Sequence, residues 1–204
     1  MMRLFRSLSL ILFTSLFLHG CATIESTTDV EWQSHQQRLA QVTQYRASGK
    51  LGYISPEQRQ SLNFQWSNAP DSTQVRLTTF LGQTALNLTS SPNEASVETY
   101  DGETYTAPTP EVLIQRLTGL NIPVKQLNDW MLGRPTQADA YQLNQTNTLA
   151  SLTKQVGAHT WKLDYLSYQD VQYLGSTLPL PKKIKLTQGD ISINIVISTW
   201  KFNE

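Results

Sequence analysis

The chain has 204 residues, with 16 basic and 16 acidic side chains, and only 16 % of it is charged. No basic stripe is present, which argues against nucleic acid as a partner, and the single cysteine, Cys21, rules out an internal disulfide. Beyond the N-terminus no apolar run approaches the ~18 residues of a spanning helix.

Arg3 and Arg6 precede an apolar run from Leu8 to Leu18 that is broken only by Ser9, Thr14 and Ser15. A charged start, a short apolar core and a small residue before the cut describe a secretory signal. Leu18-His19-Gly20-Cys21 resembles a bacterial lipobox, with His19 where a small or apolar residue is usual. The resemblance implies that residues 1–20 are removed. It also implies that the Cys21 thiol takes a diacylglyceryl group and that the new amino terminus is acylated. The competing reading is a chance cysteine beside an ordinary cleavage site. One acyl chain holds a protein only weakly, at about 0.8 kcal/mol per methylene, whereas three make the anchor effectively permanent. Ala22 follows, not the Asp that marks retention in the inner membrane, so the outer membrane is the expected destination. Removal of Arg3 and Arg6 leaves 14 basic against 16 acidic residues. The remainder suits one domain with a real core: residues 21–28 as a lipidated, mobile tether, and 29–204 as a single domain.

Thr28 and Glu31 have the spacing of a capping box. Trp32, His35, Leu39 and Val42 then recur at helical steps, with His35 as a packing residue on that face. From Tyr45 the period becomes two. Residues 45–54 read as a strand whose glycines allow bending. Leu62, Phe64 and Trp66 alternate with polar residues in a second strand, and Val75 and Leu77 in a third. Phe80-Leu81-Gly82 interrupts before Leu86 and Leu88 resume the alternation. Val97 and Tyr100 are expected in one strand, with Asp101-Gly102 as a hairpin turn.

Thr109-Pro110 marks a helix start and Gly119 its end, around an apolar stripe of Val112, Leu113, Ile114 and Leu117. Pro123 opens a second short helix with Val124, Leu127, Trp130 and Met131 inward, ended by Gly133 and Pro135. Strands return around Tyr141, Leu149, Trp161 and Ile184. Residues 178–181, Leu-Pro-Leu-Pro, are expected as a stiff loop. The last strand alternates Ile191, Ile193, Ile195 and Ile197 with Ser192, Asn194, Val196 and Ser198. The expected fold is mainly β with a helical lid. About ten to eleven antiparallel strands form one strongly curved sheet, an open, incomplete barrel, because a sheet that size must curl. Three helices cover it and enclose an apolar cavity.

Motifs for chemistry are missing. There is no Gly-x-Ser-x-Gly and no phosphate loop. His35 and His159 are separated between a helix face and a turn. Asp101 and Glu103 flank a glycine turn, where solvated carboxylates are the simpler reading. No enzyme, metal or cofactor is expected beyond the covalent lipid at Cys21.

Several motifs together resemble the LolB family of outer-membrane lipoprotein receptors. They are Trp32-x-x-His35, Phe64-Gln65-Trp66, residues 77–84 (Leu-Thr-Thr-Phe-Leu-Gly-Gln-Thr), Leu117-Thr118-Gly119-x-x-Ile122-Pro123 and residues 130–135 (Trp-Met-Leu-Gly-Arg-Pro). Trp161-Lys162-Leu163-x-Tyr165, Leu178-Pro179 and Trp200-Lys201 agree as well. Phe80 stands where a proline is familiar before Leu-Gly. The resemblance implies an open barrel that takes acylated lipoprotein cargo from the periplasmic carrier LolA and inserts it into the inner leaflet of the outer membrane. It implies a monomer and a membrane-contacting loop at Phe80, Leu81 and Gly82. Trp66, Leu77, Leu86, Leu88 and Trp161 are candidates for the cavity wall, with closed core packing as the alternative for each. Three other readings compete: an unanchored carrier of the same fold, a scaffold lipoprotein with a filled barrel, and an envelope enzyme.

Overall fold

The computed structural model describes residues 25–202, so the signal stretch, Cys21 and Ala22 lie outside the described residues. Eleven antiparallel strands form one sheet: β1 (Tyr45–Ile54), β2 (Arg59–Ala69), β3 (Ser72–Thr78), β4 (Thr84–Ser90), β5 (Ala95–Thr99), β6 (Thr104–Ala107), β7 (Ala140–Leu143), β8 (Leu149–Val156), β9 (His159–Tyr173), β10 (Ser176–Gln188) and β11 (Ile191–Phe202). Helix α1 (Trp32–Ala40) precedes β1, while α2 (Pro110–Thr118) and α3 (Val124–Trp130) fill the connection from β6 to β7. The sheet order is β6-β5-β4-β3-β2-β1-β11-β10-β9-β8-β7. Each half of the chain is therefore a meander, and the halves join where β1 pairs with β11. Among the described residues, strands β6 and β7 have no further neighbour, so the barrel is open.

Alternation along each strand puts one apolar row across the sheet. Ala47, Trp66, Val75, Leu88, Val97 and Tyr105 are successive cross-strand partners from β1 to β6. A one-residue slip anywhere would turn a strand's apolar set outward, so this row pins the register. The one irregularity between the halves is at Gly49, where the β1–β11 register shifts. A Cβ there would run into the carbonyl oxygen of Val196, so only glycine lets the two meanders close on each other.

The helix ends follow local chemistry. Thr109 Oγ1 accepts the N–H of Val112 at 3.3 Å, and Gly119 closes α2 at φ +74° by donating its N–H to Gln115. At α1 the cap is Glu31 itself, not Thr28. Its carboxylate accepts the N–H groups of Gln33 (3.0 Å) and Ser34 (2.7 Å), which lowers its pKa.

Thr28 is engaged elsewhere, which corrects the expectation of a mobile tether for residues 25–28. Both oxygens of Asp170 are taken, one by the Ser26 hydroxyl at 2.6 Å and the other by the Thr28 hydroxyl at 2.7 Å. Ser26 N–H donates to Tyr168 O (2.9 Å) and Val30 N–H to Thr146 O (3.2 Å). Residues 25–30 are thus strapped onto β9 and the β7–β8 turn.

Two further expectations change. Strand β5 stops at Thr99, and Tyr100 belongs to the following turn. Residues 178–181 are not a loop but part of β10, with Pro179 opposite Asp170 and Pro181 opposite Tyr168. Strand β10 pairs with β11 only from Lys183 onward, so both prolines lie where one side of the strand has no ladder partner. A missing N–H costs nothing there. Leu178 and Leu180, on the other hand, are fully buried.

Candidate functional site

Helices α2 and α3 face strands β1–β4, β10 and β11 across a hollow of about 460 Å³. That lies within the ~300–1,000 Å³ of ordinary ligand sites. The sheet supplies Leu51 and Tyr53 from β1, Leu62 and Trp66 from β2, Val75 and Leu77 from β3, and Leu86 and Leu88 from β4. Leu186, Ile193 and Ile195 complete that wall from β10 and β11. Ile114 and Leu117 of α2, Ile122, and Val124 and Leu127 of α3 form the lid side. Gln58, Gln60 and Thr118 are among the few polar liners, so the space suits a hydrocarbon ligand.

The lid is fastened at few polar points. Trp66 donates its indole N–H to Asn128 Oδ1 at 2.8 Å, and Asn128 Nδ2 donates to Thr73 Oγ1 at 2.9 Å. Tyr45 donates its hydroxyl to the Asn128 carbonyl at 2.7 Å. Burial raises the Tyr45 pKa well above its usual value, with the nearby Asp129 adding to it, so the hydroxyl stays a donor. The Glu111 carboxylate of α2 accepts the Lys125 N–H of α3 at 2.9 Å and ties the two helices together.

Trp66, Leu77, Leu86 and Leu88, expected from alternation as wall residues, all line this hollow. Trp161 does not. It is fully buried and donates its indole N–H to Asn121 O at 2.7 Å, bracing the loop that leads into α3. Alternation placed Trp161 on the inner face correctly, but the far half of the sheet is filled by side chains. The segment Trp130-Met131-Leu132 does much of that filling. All three residues are buried, and the Tyr165 hydroxyl donates to Trp130 O at 2.8 Å. Sequence reasoning left out the liners from β1, β10 and β11. Their inward alternation was visible, but nothing local said that those strands meet β2–β4 across the β1–β11 seam.

Phe80 and Leu81 sit at the tip of the β3–β4 hairpin. Thr79 N–H donates to Gln83 O (2.9 Å), and Gly82 N–H donates to Thr79 O (3.0 Å), with Gly82 at φ +84°. The turn holds both large side chains outward, 86 % and 72 % exposed. A soluble protein ordinarily puts polar residues at such a tip.

The residues weighed for chemistry are dispersed. His35 is buried on α1, and desolvation, with Arg38 beside it, lowers its pKa to about 4. His159 is exposed at the head of β9. Asp101 and Glu103 lie in an exposed turn, where the Thr99 hydroxyl bonds to the Asp101 carboxylate and lowers its pKa. Among the described residues, no three His, Cys, Asp or Glu side chains gather as a metal site.

Residues 43–200 match the family model described as Outer membrane lipoprotein LolB. The chain belongs to the LolB family. The Outer-membrane lipoprotein LolB of Vibrio vulnificus is 53 % identical over 186 residues, covering 91 % of this chain and 92 % of its own length. That of Vibrio campbellii is 50 % identical over 98 % of each chain. Among solved structures, a DUF1329 family protein from Desulfovibrio piger is similar at a TM-score of 0.52, over 86 % of this chain and 94 % of that one. With 8 % identity it attests the fold alone.

Proposed function

We propose that the chain is an outer-membrane lipoprotein receptor. It accepts acylated lipoproteins from the periplasmic carrier LolA and inserts them into the inner leaflet of the outer membrane. The observation that carries this reading is the apolar hollow of about 460 Å³ under a two-helix lid, in a LolB-family chain. Acyl chains cannot cross water unshielded, since each exposed methylene costs about 0.8 kcal/mol. A dry space must hold them at each stage of the journey. The sequence carries no nucleotide-binding loop, so cargo moves downhill, from weaker carrier to tighter receptor to bilayer. The protein's own lipid at Cys21 keeps it at the outer membrane, facing the periplasm, as a monomer without cofactor or catalytic centre.

Phe80 and Leu81 make the contact through which cargo leaves. Burying such side chains yields roughly 1.5–3 kcal/mol each, enough to bias the hairpin toward lipid without a second anchor. A scaffold lipoprotein with a filled barrel has no use for such a hollow.

The test is reconstituted transfer. LolA loaded with radiolabelled lipoprotein is mixed with the purified receptor and liposomes. Label is expected to pass to the receptor and then to the liposomes. Label that stays on the carrier overturns the reading.

A further inference from the structure

The hairpin at Phe80 has a twin. Twenty residues after Thr79-Phe80-Leu81-Gly82-Gln83 the chain reads Thr99-Tyr100-Asp101-Gly102-Glu103. The turns are built alike. Thr99 N–H donates to Glu103 O (3.0 Å) and Gly102 N–H to Thr99 O (3.1 Å), reproducing the two bonds of the first turn. Gly102 has φ +82° against +84° at Gly82. Tyr100 therefore occupies the loop position of Phe80, and it is 83 % exposed.

The two hairpins are also neighbours. Strand β4, leaving the first, pairs with β5, entering the second, so both tips lie on one rim of the sheet. A groove of about 590 Å³ runs between them, bounded by Gln83 and Thr84 on one side and Tyr100 and Gly102 on the other. Phe80, Tyr100 and Leu81 are the three most exposed large apolar side chains among the described residues. They share one rim, although nothing in the packing of the core requires it.

We propose that Tyr100 is a second membrane contact, so that the protein meets the bilayer through two adjacent hairpins. This rests on the reading of Phe80 and Leu81 as the membrane contact. A phenol suits the role, because tyrosine prefers the headgroup level, ring toward the acyl chains and hydroxyl toward water. Two contacts on one rim fix the tilt of the body, where one tip would leave it free to rock. The occupant is a zwitterionic lipid surface. The groove offers a cation, Arg76, for a phosphate and a carboxylate, Glu98, for an ammonium, and the carboxylates of Asp101 and Glu103 next to Tyr100 disfavour a purely anionic surface.

The experiment uses the acylated full-length protein, in which Cys21 is capped as a thioether. Phe80→Cys, Tyr100→Cys and Leu174→Cys each then offer one thiol for an environment-sensitive fluorophore. Leu174 is exposed in the β9–β10 turn, which the sheet register puts on the opposite rim. The proteins are placed in vesicles of phosphatidylethanolamine and phosphatidylcholine with brominated acyl chains. Loss of emission is expected for labels at 80 and 100 but not at 174. Quenching at 80 without quenching at 100 overturns the role of Tyr100 and keeps the first contact. No quenching at either overturns the underlying reading. Quenching at all three sites overturns a contact confined to this rim. In the transfer assay, Tyr100→Asp is expected to slow delivery to vesicles by about fivefold, and Tyr100→Phe to stay within about twofold of the wild type, with acceptance from the carrier unchanged. Normal delivery by Tyr100→Asp also overturns the proposal.

Discussion

Trp66 donates its indole N–H to Asn128 Oδ1 at 2.8 Å, and this bond ties lid helix α3 to wall strand β2. The Asn128 amide donates in turn to Thr73, so one side chain couples the helix to two strands. Asn128→Ala is expected to leave the buried indole N–H of Trp66 unpaired. Such an orphan costs roughly 1–3 kcal/mol. Thermal unfolding should show a lower Tm, and a fluorescent fatty-acid probe should bind more weakly as the lid loosens. An unchanged Tm would mean that the lid is held by apolar packing alone.

Leu77 and Leu88 face the same hollow with different consequences. Leu88 is fully buried opposite Val75, whereas Leu77, opposite Leu86, is only half-buried. A charge at Leu88 has no access to water, and an unpaired buried charge costs several kcal/mol. Leu88→Glu is therefore expected to destabilise the fold outright. Leu77→Glu should fold, with probe binding weakened by roughly tenfold, about 1.4 kcal/mol. Circular-dichroism melts and probe titration on the same samples distinguish the two outcomes.

Most of the strands and the two lid helices were legible because each rests on a local pattern. Alternation at Leu62-Phe64-Trp66 or Ile191-Ile193-Ile195 admits one inward face, and Thr109-Pro110 with Gly119 brackets a helix almost unaided. What was not legible depends on partners distant in sequence. Pro179 and Pro181 read as loop residues until it is known that half of β10 lacks a neighbour on one side. Thr28 reads as a helix cap until Asp170, 142 positions away, takes its hydroxyl. Trp161 alternates as a wall residue should, but the far half of the sheet is filled by Trp130, Met131 and Leu132. The twin turns at Phe80 and Tyr100 share a visible Thr-aromatic-x-Gly pattern, yet their adjacency comes only from the β4–β5 pairing.

His35 makes stability depend on pH in the mildly acidic range. Burial lowers its pKa from 6.5 to about 4 in the folded chain, and its Nδ1 has no hydrogen-bond partner. Between these values the unfolded chain binds a proton that the folded chain does not. Its contribution is therefore complete above pH 6.5 and is lost as pH falls toward 4, up to about 3 kcal/mol. The wild-type Tm should drop across that window. His35→Leu should flatten the drop, and an equal slope in both proteins would remove His35 as its cause.

Asp170 holds the start of the described chain. Its two oxygens bind Ser26 and Thr28, and Lys183 Nζ pairs with Glu25 at 3.3 Å. Asp170→Ala is expected to free residues 25–30 while leaving the sheet intact. Hydrogen exchange should speed up at Ser26, whose N–H bonds to Tyr168 O, with little change in β9 and β10. Slow exchange retained at Ser26 would show that the backbone bond alone keeps the strap in place.

Leu81 gives the sharpest separation of function from fold. It is 72 % exposed at a hairpin tip, and the apolar hollow under the lid is lined by other residues. A substitution there removes no core contact, so Leu81→Glu should keep the wild-type Tm within about 2 °C, in line with a surface change of under 0.5 kcal/mol. Acceptance of lipoprotein from the carrier should also persist. Delivery should differ, because the proposed last step takes the hairpin into the lipid interface. Exchanging a leucine, worth roughly 1.5–3 kcal/mol when buried, for a carboxylate removes that gain and adds a desolvation cost. Labelled lipoprotein is therefore expected to accumulate on the Leu81→Glu protein and to reach liposomes at least about tenfold more slowly than with the wild type. Leu81→Ile, which keeps the apolar surface, should deliver normally. If Leu81→Glu delivers cargo at the wild-type rate, the hairpin has no part in membrane transfer; if it unfolds, the exposed tip has a structural role instead.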